Sequence, residues 1–158
     1  INFILINNNK KILPTLKSRC LNFKIKMSYE KSIKIINNIL DNDIHSLLNF
    51  ELINNYNTPG QLLNLLNFAI KNNIETRDIT LKKLLTLLIK EKYYKKEASN
   101  KVLLYNLIEL YFRKNISINN INLLNLYSYF LKKITNTKNF NLDEETLFME
   151  FEDRVLNG

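Results

Sequence analysis

Glycine and proline are scarce in this 158-residue chain, with two of each. Tight turns therefore have few places to form, and the long Leu- and Ile-rich stretches between these residues favour helices. The single cysteine, Cys20, excludes an internal disulfide and fits a reducing compartment. No apolar run approaches the ~20 residues that span a bilayer, and no signal-peptide pattern is visible. No membrane partner is expected, and the expected location is cytoplasmic. Standard catalytic constellations are missing too. No GxxxxGK[ST] segment is present to cradle phosphates, and no Cys/His spacing suits a metal. The one histidine, His45, lies at a polar helix start with no Ser or Cys placed as its nucleophile, so a surface or capping role is expected.

What is present is apolar and basic. Hydrophobic residues make up 46% of the chain, enough to bury the core of one ordinary domain or two small ones. Lys, Asn and Ile are heavily used, as AT-rich coding DNA produces. Apolar residues interrupt the Asn clusters regularly, so no prion-like segment is implied. The net charge of +8 has two readings: a nucleic-acid or acidic-protein partner, or lysines on solvated faces. Carboxylates cluster at Asp143-Glu144-Glu145 and from Glu150 to Asp153. The first cluster suits the positive end of a helix dipole.

The order of patterns along the chain predicts a mainly α fold with strands confined to its start. Ile1 to Ile6 reads as a strand of the kind buried on both faces, and without the strand that would pair with it, it is expected to be exposed or non-natively paired. Opening a chain with an unpartnered strand, it leads us to expect a piece of a longer protein. Pro14 suits the first turn of a short helix through Lys17. Leu21 to Lys26 alternates apolar and polar residues, as a half-wet strand does. Ser28 is a plausible N-cap for a helix carrying Tyr29, Ile33, Ile36 and Leu40. Leu47, Phe50 and Ile53 mark a shorter helix. Thr58-Pro59 opens a helix with Leu62, Leu63, Leu65, Leu66 and Ala69, deeply buried. A boundary is placed near Lys71-Asn72-Asn73. Beyond it Thr80 caps a helix with Leu81, Leu84, Leu85 and Leu88 on one face. Two further stripes follow, Leu104, Leu107, Ile108 and Tyr111, then Leu123, Tyr127, Phe130 and Ile134. A last helix, with Asn141 as N-cap and Glu144 three residues on, buries Leu147, Phe148, Phe151 and Val155.

The stretch from Phe3 to Phe23, FILINNNKKILPTLKSRCLNF, resembles the clamp-loader branch of the AAA+ ATPases. An apolar strand ends in Asn7-Asn8; Leu13-Pro14-Thr15-Leu16, Ser18-Arg19-Cys20 and a second strand follow. The resemblance implies that Arg19 is an arginine finger reaching the ATP of an adjacent subunit, and that Asn7 or Asn8 holds the sensor-1-like position. A guanidinium suits such a role. It stays charged and offers a rigid fork of donors to the oxygens of a phosphoryl-transfer transition state. Cys20 is expected to be a small buried hydrophobe. A second resemblance lies at Thr58-Pro59-Gly60, similar to the Ser-Pro-Gly of delta-prime-type subunits. Gly60 stands where ATP-hydrolysing relatives carry a sensor-2 arginine, so it is a degenerate sensor-2 position.

The resemblance implies three parts. Residues 1–26 would be the tail of an AAA+ nucleotide-binding domain, a remnant of its α/β fold. Residues 27–73 would be a helical lid, and 74–158 a helical collar for oligomerisation. The implied partners are the gamma/tau and delta subunits of the DNA polymerase III clamp loader, and through the assembly the sliding clamp and primed DNA. ATP and Mg would be bound by the neighbouring subunit, with no cofactor bound by these residues. The chain would thus serve DNA replication without being catalytic itself. Two alternatives stand: an ATP-hydrolysing gamma/tau-type subunit, against which Gly60 argues, and a basic helical nucleic-acid-binding or scaffold protein without AAA+ ancestry.

Overall fold

The computed structural model describes residues 4–5, 12–23, 27–116 and 121–158. Among these the chain is mainly α-helical and contains no strand. A short helix α1 (Pro14–Lys17) precedes α2 (Tyr29–Leu40), α3 (Ile44–Leu47), a 3₁₀ turn (Phe50–Leu52) and α4 (Pro59–Lys71). Then come α5 (Leu81–Lys90), α6 (Tyr93–Lys96), α7 (Ala98–Asn115), α8 (Ile121–Phe140), α9 (Glu144–Phe151) and a π turn (Glu152–Leu156).

Local chemistry places most helix starts. The Ser28, Thr58 and Thr80 hydroxyls accept the backbone N–H of Lys31, Gln61 and Lys83, respectively. Each thereby satisfies a donor that lacks an intrahelical partner. Thr58 and Gln61 complete a reciprocal capping box, with Pro59 at N1. The expected cap of α9 is corrected. Asp143, not Asn141, holds its N-terminus, accepting from the Glu145 and Thr146 N–H groups. Asn141 instead adopts a left-handed conformation, φ 50°, directly after α8, where Asn is tolerated and the helix ends.

The core is one hydrophobic cluster running from Ile36 to Leu156. Helix α7 lies at its centre, packed against α4, α5, α6 and α8. Its buried residues Leu103, Leu104, Leu107, Ile108, Leu110 and Phe112 wrap much of its circumference, as a helix enclosed by others requires. Phe112, Phe130 and Phe151 pack together from α7, α8 and α9, with ring centroids 5.5–6.0 Å apart. The chain turns between α4 and α5 at Asn72 and Asn73, the latter with φ 53°.

One expectation fails around residue 50 and another at the start of the chain. The single helix expected through Leu47, Phe50 and Ile53 is α3 plus the separate 3₁₀ turn, with extended backbone at Leu48 between them. This break turns Leu48 and Leu52 into the core and Phe50 out to solvent. The strands expected at 1–6 and 21–26 fall partly outside the described residues. Where described, Ile4, Leu5, Leu21 and Phe23 lie in no strand and are exposed. A strand needs a paired neighbour to satisfy its backbone, and none is present among the described residues.

Candidate functional site

The Ser18-Arg19-Cys20 segment sits on a turn built from its nearest neighbours. Pro14 presets the first turn of α1, and the Leu16 and Lys17 N–H groups donate to the Leu13 carbonyl at 3.0 Å. The Ser18 N–H bonds the Pro14 carbonyl and the Arg19 N–H bonds the Leu16 carbonyl, at 3.0 and 3.1 Å. The Ser18 hydroxyl donates to Thr15 O at 3.1 Å. Beyond the motif, the Asn22 amide donates back to Lys17 O and Cys20 O, at 3.3 and 3.2 Å. The backbone on both sides of Arg19 is therefore hydrogen-bonded, while the Arg19 side chain is exposed. Its guanidinium takes no ion pair or hydrogen bond among the described residues. Cys20 is exposed as well, which corrects the expectation of a buried thiol: among the described residues none covers this segment.

Gly60 is the second residue of α4 and is exposed. Nothing lies within 4 Å of a Cβ built on it, and its φ is not positive. The fold does not itself demand glycine there. The structure groups Ser18, Arg19 and Cys20 on one turn but gives them no hydrogen bond or ion pair with Gly60. Asn7 and Asn8 lie outside the described residues.

The other titratable residues singled out in the sequence serve the fold. His45 is exposed in α3, with Nε2 3.4 Å from the Tyr29 hydroxyl. Glu145 receives Lys92 and Lys95 at 2.6 and 2.5 Å, and these hydrogen bonds hold its carboxyl below the usual range. Hydrogen bonds from the Thr146 hydroxyl and N–H do the same for Asp143. Glu144 pairs with Lys101 at 2.9 Å and accepts from the Tyr105 hydroxyl at 3.3 Å. No group of three or more His, Cys, Asp or Glu among the described residues could hold a metal. No described helix is long and apolar enough to cross a membrane. A groove of about 250 Å³ between α7 and α8, floored by Phe112, Tyr127, Phe130 and Ile134, is smaller than ordinary ligand pockets of ~300–1,000 Å³.

Sequence reasoning missed one cluster. Phe50 and Tyr56 stand in solvent beside Arg113 and Lys114 of α7. Reading Phe50 into a buried stripe hid it. The signal available was the run Phe50 to Asn57, rich in Asn and bearing aromatics without helical spacing.

Comparisons of the chain with protein-family models, curated proteins and solved structures found no match.

Proposed function

We propose that this chain is the C-terminal part of a delta-prime-type clamp-loader subunit that lends Arg19 to the ATP site of a neighbouring subunit. The observation that carries the reading is the exposed Arg19 side chain, with no partner among the described residues, standing on a turn hydrogen-bonded on both sides. An isolated surface arginine ordinarily sits on a helix or loop chosen for solubility. This one lies inside Leu-Pro-Thr-Leu-Lys-Ser-Arg-Cys, the segment that resembles the clamp-loader motif. A finger acting in trans must be anchored at its backbone and unengaged at its tip, because its cost of ordering is then met before the transition state forms.

In this reading residues 1–26 close an AAA+ domain, 27–73 form the lid and 74–158 the collar, in the cytoplasm. ATP and Mg belong to the neighbouring gamma/tau subunit, and the assembly places the sliding clamp on primed DNA. Gly60 favours this role over an ATP-hydrolysing one. Space for a larger side chain is open there, yet the position offers no cation to a phosphate.

The test is Arg19→Ala in the full-length protein, reconstituted with its partner subunits. Assembly, followed by size-exclusion chromatography, should be unchanged, since the side chain contributes nothing to the core. DNA- and clamp-stimulated ATP hydrolysis should fall. Arginine fingers contribute up to ~10³–10⁵ in rate, and a ring with several ATP sites shows a smaller total loss. Arg19→Lys should also be impaired, because an ammonium keeps the charge but loses the planar fork. Normal hydrolysis and normal clamp loading by Arg19→Ala would refute the proposal.

A further inference from the structure

Phe50 and Tyr56 are 77% and 74% exposed. Both stand on ordered backbone. Phe50 opens the 3₁₀ turn, whose Glu51 N–H donates to the Asn49 side chain at 2.9 Å. Tyr56 lies in a loop closed by its own N–H on Asn54 Oδ1 at 2.6 Å and by the Asn54 N–H on Asn57 Oδ1 at 2.7 Å. The last turn of α7 supplies a cation to each ring. The Arg113 guanidinium lies 4.8 Å from the Tyr56 centroid, and Lys114 Nζ lies 5.7 Å from that of Phe50 while donating to the Phe50 carbonyl at 2.9 Å.

The two nearby carboxylates are already committed. Glu51 Oε2 accepts the Leu81 N–H at 2.9 Å, and Glu109 accepts from Arg113 at 2.6 Å. Among the described residues Lys114 forms no ion pair, although the nearby Glu51 carboxylate favours its charge, and the chain as a whole carries +8. Flat rings held out by hydrogen-bonded loops, each beside a cation, are what unpaired bases and their phosphates require: rings stack on bases, and cations meet the backbone. An acidic peptide would engage the cations but leave the ring faces without a flat partner.

We propose that the Phe50–Tyr56–Arg113–Lys114 face binds single-stranded nucleic acid, stacking bases on the two rings. None of these side chains enters the Arg19 argument, and strand binding is read without nucleotide or any other subunit, so either proposal can fail alone.

The experiment is fluorescence anisotropy of the full chain with a labelled oligothymidylate of about 20 nucleotides, longer than the ~4–16 nucleotides of comparable sites. A duplex of the same length serves as competitor. Phe50→Ala and Tyr56→Ala should each weaken binding about 5-fold or more, with circular dichroism and melting unchanged because both rings are exposed. Tyr56→Phe should retain affinity, since stacking needs the ring and not the hydroxyl. Lys114→Gln should lower the salt slope by about 0.7, the value for one phosphate contact on a single strand. The double variant Lys31→Gln/Lys34→Gln removes charge from α2 without touching a ring, and it should leave the effect of the alanine variants as it was. The proposal is overturned if the strand does not bind at low salt, or if duplex competes equally while both ring variants bind normally, the mark of diffuse charge attraction. It is overturned equally if the ring variants change the sedimenting mass and not strand affinity, which would make this face a protein contact.

Discussion

Glu150 ties three parts of the C-terminal fold together, and its removal gives a pH-resolved test of the packing. From α9 its carboxylate accepts the Tyr129 hydroxyl at 2.9 Å, bonds Lys133 of α8, and takes Arg154 Nη1 of the π turn at 2.7 Å. Burial by itself would raise its pKa. The hydrogen bonds from Lys133, Arg154 and Tyr129 together outweigh burial and hold it down to about 2, from an ordinary 4.5. The same contact raises Lys133. A depression of about 2.5 units corresponds to about 3 kcal/mol of linkage. The carboxylate side chain is 22% exposed and its partners more so, and solvent screening reduces the figure to ~1–2 kcal/mol. The sign is that of a depressed acid: the contribution is complete above the ordinary 4.5 and is lost as pH falls through about 2. Urea unfolding of the parent and of Glu150→Gln should therefore differ by ~1–2 kcal/mol near neutral pH, and the gap should shrink as pH falls below about 4.5 and close only below about pH 2. Taking the difference removes the background from Glu97, Asp143 and Glu145, whose carboxyls are also held low. A gap that is the same at neutral and acid pH, or no gap at all, would show that the network does not hold α8 to α9.

Two further outcomes concern single backbone positions. Gly60→Ala should raise the melting temperature, because the helical backbone accepts a side chain, nothing lies within 4 Å of the new Cβ, and Gly costs ~0.5–1 kcal/mol relative to Ala in a helix; a lower melting temperature would mean that the α4 start is strained. Asp143→Ala should lower stability to chemical denaturation, as loss of an N-cap does, whereas Asn141→Gly should be neutral or stabilising because Gly adopts the left-handed conformation of Asn141 without strain; the reverse order would restore Asn141 as the cap.

How much of this fold the sequence reveals depends on how far a feature reaches along the chain. Caps at Ser28, Thr58 and Thr80 were legible because a hydroxyl and an N–H three residues on decide them. The α5 stripe Leu81, Leu84, Leu85 and Leu88 was legible because a full helical period repeats and all four are buried. Asn141 and Asp143 are both cap-type residues two apart, so pattern alone could not say which ends α8 and which starts α9. Helix α6 spans only Tyr93–Lys96 and begins after Lys92 in a left-handed conformation, φ 50°, with no Gly or Pro to announce it. Leu47, Phe50 and Ile53 satisfy a helical period over too few turns to exclude the break at Leu48.

The turn around Arg19 and the strands expected beside it differ in the same way. The turn around Arg19 is held by hydrogen bonds that reach no more than five residues along the chain. Its shape therefore does not depend on any sheet. Strands at 1–6 and 21–26 depend wholly on distant partners, and so does burial of Ile4, Leu5, Leu21, Phe23 and Cys20, all of which stand exposed. A sheet that covered those apolar residues would change the burial of Cys20 before it changed the backbone of Arg19. If the proposed clamp-loader assembly forms, the reactivity of Cys20 toward a thiol reagent in it reports on the covering, while ATP hydrolysis by the reconstituted Arg19→Ala assembly tests the proposed finger. A protected Cys20 with unchanged hydrolysis by Arg19→Ala would place a covering over this segment and deny the arginine a part in hydrolysis.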